Sequence, residues 1–111
     1  MNIKEMSKQT NTPTNTIRYF ERIGLIPQVK RNHYGLREFT DVDADWIRFI
    51  KQMREVNISI ESLIEYVTLS NQPEKSVEAR TELLTEQTND LQQQINLLEA
   101  AKDELQRRIT N

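Results

Sequence analysis

Apolar residues recur at helical spacing through the first seventy positions of the chain. Ile3 and Met6 lie one turn apart, which predicts a short helix over residues 3–9. After a TNT turn, the apolar residues of a second helix follow at every third position: Ile17, Phe20 and Ile23. This spacing gives the second helix one apolar face.

The residues around this second helix are typical start and stop signals. Thr12 can cap the helix with its hydroxyl, and Pro13 suits the first helical position because no N–H donor is needed there. Gly24 is expected to end the helix, since glycine readily adopts the left-handed conformation of a C-cap. Two short helices joined by a tight turn are typical of a helix-turn-helix.

Two short extended segments follow, on either side of the turn NHYG. Extended segments around an Asn/Gly turn predict a small β-hairpin. Beside a helix-turn-helix, such a hairpin forms a wing. The expected fold class is therefore mainly α, with a winged helix-turn-helix domain over residues 1–70.

Two further helices complete this predicted domain. Thr40 is the expected N-cap of the third helix, which has acidic residues in its first turn, and Ser59 is the expected N-cap of the fourth. The third helix has a wide apolar face: Trp46, Ile47, Phe49, Ile50 and Met53. The buried side of the fourth consists of Ile60, Leu63, Ile64 and Val67. We expect Trp46 to belong to the core, because it lies in line with Ile50 and Met53.

A polar linker with a helix-breaking Pro73 occupies residues 71–75, and the periodicity changes after it. Within residues 76–111, ten positions spaced alternately by four and three hold seven apolar residues. This pattern predicts a coiled-coil dimerisation helix. Its seven apolar seam residues are Val77, Leu84, Leu91, Ile95, Leu98, Leu105 and Ile109.

A helix of this length extends for about 50 Å. It cannot bury its seam against a small four-helix domain, so we expect it to pair with a second copy of the chain. Both a parallel and an antiparallel pair fit the periodicity.

Composition excludes several classes of protein. The chain has 111 residues, a formal net charge of −2 and no cysteine, which excludes disulfides, thiol sensing and thiolate metal sites. No membrane span or signal peptide is recognisable, so we expect a cytoplasmic protein. No catalytic triad, pair of catalytic carboxylates or phosphate-binding loop is present, so we expect neither an enzyme nor a cofactor.

Positive charge is concentrated within residues 15–40. This segment has five Lys/Arg and two Asp/Glu residues, for a net charge of +3, whereas residues 70–111 have five and eight, for −3. The local field decides where a phosphate backbone docks, so an acidic chain can still bind DNA through a basic segment.

The second helix and the wing carry residue types that contact DNA. Asparagine can read adenine, arginine can hold a guanine or a phosphate, and a tyrosine hydroxyl can donate to a phosphate. The candidates on the helix are Thr14, Asn15, Thr16, Arg18 and Tyr19. Those on the wing are Lys30, Arg31, His33, Tyr34 and Arg37.

Several motifs together resemble the MerR family of transcriptional regulators. They are TIRYFERIGLIP followed by GLREF, then DADWIRFIKQMR, and then SIE. The resemblance covers residues 2–69, and the long terminal helix also suits the family. Because the chain has no cysteine, we expect a member that senses no metal through thiolates. Because the sequence ends at Asn111, we also expect a small member without the C-terminal effector domain of larger members.

The resemblance implies an assembly and a function. The protein is expected to be a homodimer joined by an antiparallel coiled coil, with each winged helix-turn-helix on half of a pseudo-palindromic promoter operator. Binding would distort the double-stranded DNA so that RNA polymerase can read the promoter. The family pattern assigns DNA contacts to Arg18, Tyr19 and Arg37, and adds Lys51 and Ser59 near the DNA backbone.

A small-molecule effector of unknown identity is compatible with this family. Its pocket is expected between the third helix, the fourth helix and the partner's coil, with Trp46, Met53 and Tyr66 as lining residues. Two alternatives stay open at this point: a coiled-coil module that binds protein, and an excisionase-like architectural DNA-binding protein.

Overall fold

The computed structural model describes residues 1–110, which contain five α-helices. They are α1 (Ile3–Thr10), α2 (Thr14–Ile23), α3 (Asp41–Glu55), α4 (Ile60–Ser70) and α5 (Val77–Thr110). The chain divides into two compact units, with the boundary between Ser76 and Val77. Asn111, the last residue of the predicted dimerisation segment, lies outside the described residues. None of the five helices combines the length and the apolar character needed to cross a membrane.

Helix α1 begins and ends at asparagine residues. The Asn2 side chain accepts the backbone N–H of Glu5 at 2.9 Å, and the Glu5 carboxylate accepts the N–H of Asn2 at 3.4 Å, which completes a capping box. Asn11 ends the helix in the left-handed conformation, with φ of 50°. The predicted first helix is confirmed and extends one residue further, to Thr10.

Helix α2 ends as predicted, but its start differs. Gly24 adopts φ of 85° and caps the C-terminus. The prediction that Thr12 caps the N-terminus is wrong, because its buried hydroxyl donates to the carbonyl oxygen of Thr10 at 3.0 Å. Pro13 is the N-cap residue and makes no side-chain hydrogen bond there. Thr12 therefore stabilises the turn rather than the helix.

Helices α3 and α4 start at the predicted caps. The Thr40 hydroxyl accepts the N–H of Asp43 at 3.3 Å, and the Asp43 carboxylate accepts the N–H of Thr40 at 2.8 Å. The Ser59 hydroxyl accepts the N–H of Ser62 at 3.1 Å. Asn57, in the turn between the two helices, adopts the left-handed conformation with φ of 65°.

A single core lies within the N-terminal unit. Its largest fully buried side chains are Met6, Ile17, Leu25, Ile26, Ile47 and Ile50. Helix α4 adds Leu63 and Val67, as predicted, whereas Ile60 and Ile64 of its predicted buried side are half-buried. Each such side chain contributes about 1.5–3 kcal/mol through burial, so the apolar faces of the short helices hold the unit together.

Trp46 does not belong to this core. It is half-buried, and its ring lies 6.1 Å from the ring of Phe49 and 5.6 Å from that of Tyr66. The prediction of a core position is therefore wrong. Trp46 lies at the edge of the α3 apolar face, where the inner positions are filled by Ile47 and Ile50.

Residues 29–39, which we call the wing, form a hairpin turn with a single β-bridge. Arg31 and Arg37 make this antiparallel bridge, and Gly35 allows the turn with φ of 79°. The two strands of the predicted hairpin are not formed in the described part of the chain. The arms of the turn are short, and both ends of the wing are buried in the core, so no longer ladder can develop.

Helix α5 has 34 residues and leaves most of its predicted seam exposed. Leu91 is half-buried, whereas the other six seam residues range from 40% exposed at Leu84 to 77% at Ile109. Exposed leucine and isoleucine side chains aligned along one side of a helix are typical of an interaction surface.

Candidate nucleic-acid interface

The turn between α1 and α2 is fixed by hydrogen bonds from both sides. The Ser7 hydroxyl donates to the carbonyl oxygen of Thr12 at 2.6 Å, and the Thr12 N–H donates to the Ser7 carbonyl oxygen at 3.0 Å. Lys51 of α3 donates from Nζ to the carbonyl oxygens of Thr10 and Asn11, at 2.9 and 2.7 Å. The C-terminus of a helix carries partial negative charge, so this ammonium group stabilises the end of α1.

Helix α2 separates an apolar side from a polar side. Ile17 and Phe20 are buried in the core. The five predicted contact residues lie along the rest of the helix surface: Asn15, Arg18 and Tyr19 are exposed, and Thr14 and Thr16 are half-buried. The fold therefore leaves the front of α2 accessible to a groove.

Arg22 belongs to the same polar side of α2, although it was not among the predicted contact residues. Its guanidinium carbon lies 5.5 Å from the centroid of the Tyr19 ring, within the range of a cation–π contact. This contact holds the tyrosine ring beside the helix. The spacing of three between an exposed tyrosine and an arginine is the sequence signal that identifies such a pair.

Glu21 connects α2 to the wing, and no sequence pattern predicted this role. Its side chain is only 5% exposed. One carboxylate oxygen, Oε2, accepts the N–H of Val29 at 2.8 Å. The other, Oε1, accepts Nε–H of Arg37 at 2.7 Å and lies 3.8 Å from Nη2 of Arg31. One carboxylate thus contacts both arms of the wing.

The surroundings of Glu21 favour its charged form. Burial acts to raise the pKa of this carboxyl, but several contacts oppose that effect. They are the hydrogen bonds from Arg37 and Val29 and the positive charges of Arg37 and Arg31. Together these contacts hold the pKa below its usual value, so Glu21 is an anion at neutral pH.

Three arginines converge where α2 meets the wing. Two open cavities, of about 390 and 190 Å³, lie at this junction, and Arg18, Arg31 and Arg37 line both of them. Arg18 comes from α2, whereas the other two come from opposite arms of the wing. Guanidinium groups gathered in this way suit a phosphate or carboxylate anion.

The tip of the wing carries an exposed aromatic pair. The rings of His33 and Tyr34 lie 4.0 Å apart, and Tyr34 is 77% exposed. The Asn32 side chain accepts the N–H groups of Tyr34 and Leu36, at 2.9 and 3.1 Å, and so shapes the tip. Lys30 is exposed beside it. Within residues 1–110, no group of three or more His, Cys, Asp or Glu side chains is arranged to hold a metal ion.

Lys51 and Ser59, which the family pattern places near the DNA backbone, have contacts within the fold. Lys51 caps α1, and Ser59 caps α4. Neither residue lines the two cavities at the junction of α2 and the wing. Contact of these two residues with DNA stays a prediction.

A third cavity, of about 300 Å³, lies between α3 and α4. Its lining residues are Asp45, Trp46, Arg48, Phe49, Gln52 and Tyr66. The rings of Phe49 and Tyr66 lie 5.5 Å apart, so three aromatic side chains form one cluster at this cavity. Trp46 and Tyr66 were predicted to line an effector pocket and come together here, whereas the half-buried Met53 is not among the lining residues.

Comparison with known proteins relates this geometry to a family. Residues 1–69 match the family described as MerR HTH family regulatory protein, and residues 44–108 match the one described as MerR, DNA binding. The HTH-type transcriptional regulator AdhR of Bacillus subtilis is 47% identical over 87 residues, which make up 78% of this chain and 62% of that protein. The chain therefore spans less than two thirds of the length of this curated relative.

Solved structures share the fold. A crystal structure of a MerR family transcriptional regulator from Listeria monocytogenes superposes with a TM-score of 0.95 and 45% identity, over 100% of this chain and 84% of that one. HiNmlR, a MerR family regulator lacking the sensor domain, bound to promoter DNA, has a TM-score of 0.86 and 24% identity, over 98% and 86% of the two chains. The second likeness concerns the fold alone. The predicted fold class is confirmed, apart from the strands of the wing.

Proposed function

The chain belongs to the MerR family of helix-turn-helix regulatory proteins, and we propose that it is a sequence-specific DNA-binding transcriptional regulator. The observation that carries this proposal is the convergence of Arg18, Arg31 and Arg37 where α2 meets the wing. These side chains suit the closely spaced oxygens of a phosphate backbone. The AdhR relative is named a transcriptional regulator, which agrees with the expectation that the chain is not an enzyme.

Each chain would occupy half of a DNA site. Helix α2 enters the major groove, with Asn15 and Arg18 near the base edges and Tyr19 beside the phosphates. The wing follows the adjacent backbone, with Lys30 and the aromatic tip as further contacts. A groove-reading helix beside a cationic loop gives both sequence specificity and a strong dependence on salt.

Two copies of the chain would bind together as a homodimer. The exposed seam of α5 supports this step, because Leu98, Leu105 and Ile109 are each at least 67% exposed in a single chain. A two-fold dimer matches a pseudo-palindromic operator whose half-sites are separated by about one helical turn of DNA. Family membership favours an antiparallel coiled coil between the two α5 helices.

Regulation would follow from distortion of the promoter. We infer that the dimer bends and untwists its operator, which changes how RNA polymerase reads the promoter elements on either side. Whether this activates or represses a given promoter depends on the spacing of those elements. A regulator of this kind acts where the chromosome is, so the cytoplasmic location belongs to the same proposal.

The cavity between α3 and α4 is the candidate site for an effector. Its aromatic cluster of Trp46, Phe49 and Tyr66 offers ring faces, and Asp45 and Arg48 supply charge at its edge. These groups suit a small planar ligand with polar substituents. Calorimetric titration of the full chain with a library of aromatic acids and amines tests this site, and a Tyr66→Ala variant should abolish any heat signal.

The DNA-binding proposal is tested by selecting bound duplexes from a random-sequence pool. We expect the full chain to enrich an inverted repeat, and the Arg18→Ala variant to lose most of that enrichment. Lys75→Ala is the matched control, because it removes one exposed positive charge from the turn before α5. It should enrich the same repeat as the unmodified protein.

Three other results would contradict the proposal. Enrichment of no sequence at all argues for a protein-binding coiled-coil module. Enrichment that does not depend on Arg18 argues against α2 as the reading helix. Enrichment of bent but unrepeated sequences argues for an architectural DNA-binding protein without paired half-sites.

A further inference from the structure

The carboxylate of Glu21 lies among the arginines of the proposed DNA-binding surface. A negative charge at such a place repels phosphate and, taken alone, weakens the binding of DNA. Glu21 is nevertheless buried, and it accepts hydrogen bonds from Val29 at 2.8 Å and from Arg37 at 2.7 Å. Its place at the centre of a basic surface therefore indicates a role in arranging that surface.

The contact between Glu21 and Arg37 uses only part of the guanidinium group. Glu21 accepts the hydrogen of Nε, which lies on the side of the group nearest the main chain. The two terminal amino groups of Arg37 carry four more N–H donors. The Arg37 side chain is 22% exposed and lines the same two cavities as Arg18. Arg37 can therefore bind Glu21 and a phosphate at once.

Arg31 is restrained from a different direction. Its Nη1 donates to the carbonyl oxygen of Gly35 at 3.0 Å, while Nη2 lies 3.8 Å from Glu21. The side chain is 44% exposed, so this pair is weaker and more open to solvent than the contact with Arg37. Glu21 thus restrains Arg37 firmly and Arg31 loosely.

We propose that Glu21 is a positioning residue for operator recognition: it holds Arg37 at the junction of α2 and the wing, where Arg37 and Arg18 bind the same stretch of phosphate backbone. The inference rests on the proposed DNA-binding function. It assigns to Glu21 no contact with DNA. Without this carboxylate, Arg37 would keep its charge but lose its fixed direction, and the wing would lose its hydrogen bond from Val29 to α2.

The test compares four variants of the full chain: Glu21→Gln, Arg37→Ala, the combination of both, and Arg37→Lys. Affinity is measured for the selected operator duplex and for a random-sequence duplex of equal length, each at several salt concentrations. Glu38→Gln is the matched control, because it removes the same charge from an exposed position on the same wing. Denaturant unfolding of each variant establishes that the protein is folded under the binding conditions.

We expect Glu21→Gln to weaken operator binding about tenfold, the cost of one charge-assisted contact. The slope of log affinity against log salt should decrease by about 0.9, as for the loss of one phosphate contact. Arg37→Ala should give the same two changes, and the combined variant should be no weaker than either single variant, because both remove one interaction. Because a phosphate contact does not depend on the sequence of the DNA, Glu21→Gln should also weaken binding to the random duplex.

A purely electrostatic role for Glu21 predicts the opposite sign. In that case Glu21→Gln would bind the operator more tightly and with a steeper salt slope, as we expect of Glu38→Gln, and the inference would be overturned. Losses that add in the combined variant would also overturn it, since they indicate independent contributions.

Arg37→Lys provides a separate test that keeps the ion pair and the fold. Lysine has a single nitrogen, so a lysine held by Glu21 cannot direct a second group at a phosphate in the same way. We expect this variant to lose operator affinity nearly as Arg37→Ala does, whereas near-normal affinity would contradict the inference. If the unmodified chain selects no DNA at all, the proposed function fails together with the inference; if only the variants behave otherwise, the inference fails alone.

Discussion

The two units of the chain differ in how far their apolar side chains are buried. The leucine and isoleucine side chains of the N-terminal unit are buried or half-buried, except for that of Leu36. In the described residues no buried side-chain nitrogen or oxygen lacks a hydrogen-bond partner. In α5, by contrast, Leu97, Leu98, Leu105 and Ile109 are each at least 67% exposed. The first unit therefore contains the interactions that fold it, whereas the exposed side chains of the second fit the homodimer proposed above.

The largest effect should come from charges placed in the α5 seam. We expect a variant with Leu98→Glu and Leu105→Glu to sediment as a monomer and to bind the operator about a hundredfold or more weakly, because linked half-sites gain affinity from each other. Gln93→Glu with Ala100→Glu adds the same charge on the opposite side of α5 and should stay dimeric. Dimerisation of the seam variant would show that the two units do not differ as described.

Removal of core volume should destabilise only the N-terminal unit. Ile47→Ala is expected to lower the free energy of unfolding by about 2–5 kcal/mol, since Ile47 is fully buried. Leu97→Ala removes a side chain of the same size from an exposed position off the predicted seam, and it should change that energy by less than about 0.5 kcal/mol. Urea unfolding of the full chain measures both. Equal effects would mean that Leu97 is buried in solution.

Lys51, which caps the C-terminus of α1, tests the stability of the N-terminal unit at a single side chain. Lys51→Met should lower the free energy of unfolding by about 1–2 kcal/mol, because it removes two charge-assisted hydrogen bonds to the end of α1. Lys75→Met, at an exposed turn position, should have little effect. A loss of operator binding without a loss of stability in Lys51→Met would instead support the contact with DNA that the family pattern assigns.

The smallest change in the free energy of unfolding should come from protonation of Glu21 at acidic pH. Glu21 has a lowered pKa in the folded chain, so it binds a proton more weakly there than in the unfolded chain. Its contribution to the free energy of unfolding is fully present at neutral pH. That contribution decreases as the pH falls below the ordinary glutamate value of about 4.3 and towards the lowered one. Urea unfolding measured between pH 3 and 7 (roughly the span of this titration) tests this. The free energy of unfolding should depend less on pH in Glu21→Gln than in the unmodified chain.

The carboxylate of Glu104 offers a comparison within α5. Hydrogen bonds from Arg107 and Arg108 lower its pKa as well, but all three groups are exposed on the helix surface. Salt should therefore screen the contribution of Glu104 to the pH dependence of the free energy of unfolding. The contribution of buried Glu21 should persist in salt. If the pH dependence of unfolding due to Glu21 disappears in salt, the Glu21 side chain is open to solvent.

Local patterns in the sequence were sufficient to predict the helices. Thr40, Ser59 and Gly24 act as caps where their residue types favour it, because a cap depends on only a few neighbouring backbone groups. The exceptions have tertiary causes. Thr12 turns its hydroxyl into the buried turn, and Trp46 lies at the edge of the apolar face rather than inside it.

The sequence predicted most residues of the candidate site, but not which of their side chains contact one another. The charge of residues 15–40 and the motif around Arg18 identified the surface. The ion pair between Glu21 and Arg37 joins residues sixteen positions apart, and the bonds from Lys51 to the end of α1 span about forty. Neither helical spacing nor charge counts encode which side chains meet over such distances, so these contacts required the folded chain.

The position of Trp46 has a practical consequence for spectroscopy. It is the only tryptophan of the chain, it lies beside Tyr66 and Phe49 on α3 and α4, and every other aromatic residue also precedes Ser70. Intrinsic fluorescence therefore reports on the N-terminal unit alone, whereas the far-ultraviolet circular dichroism also includes the 34 helical residues of α5. One denaturation experiment followed at both wavelengths can thus distinguish unfolding of the N-terminal unit from that of α5, without any label.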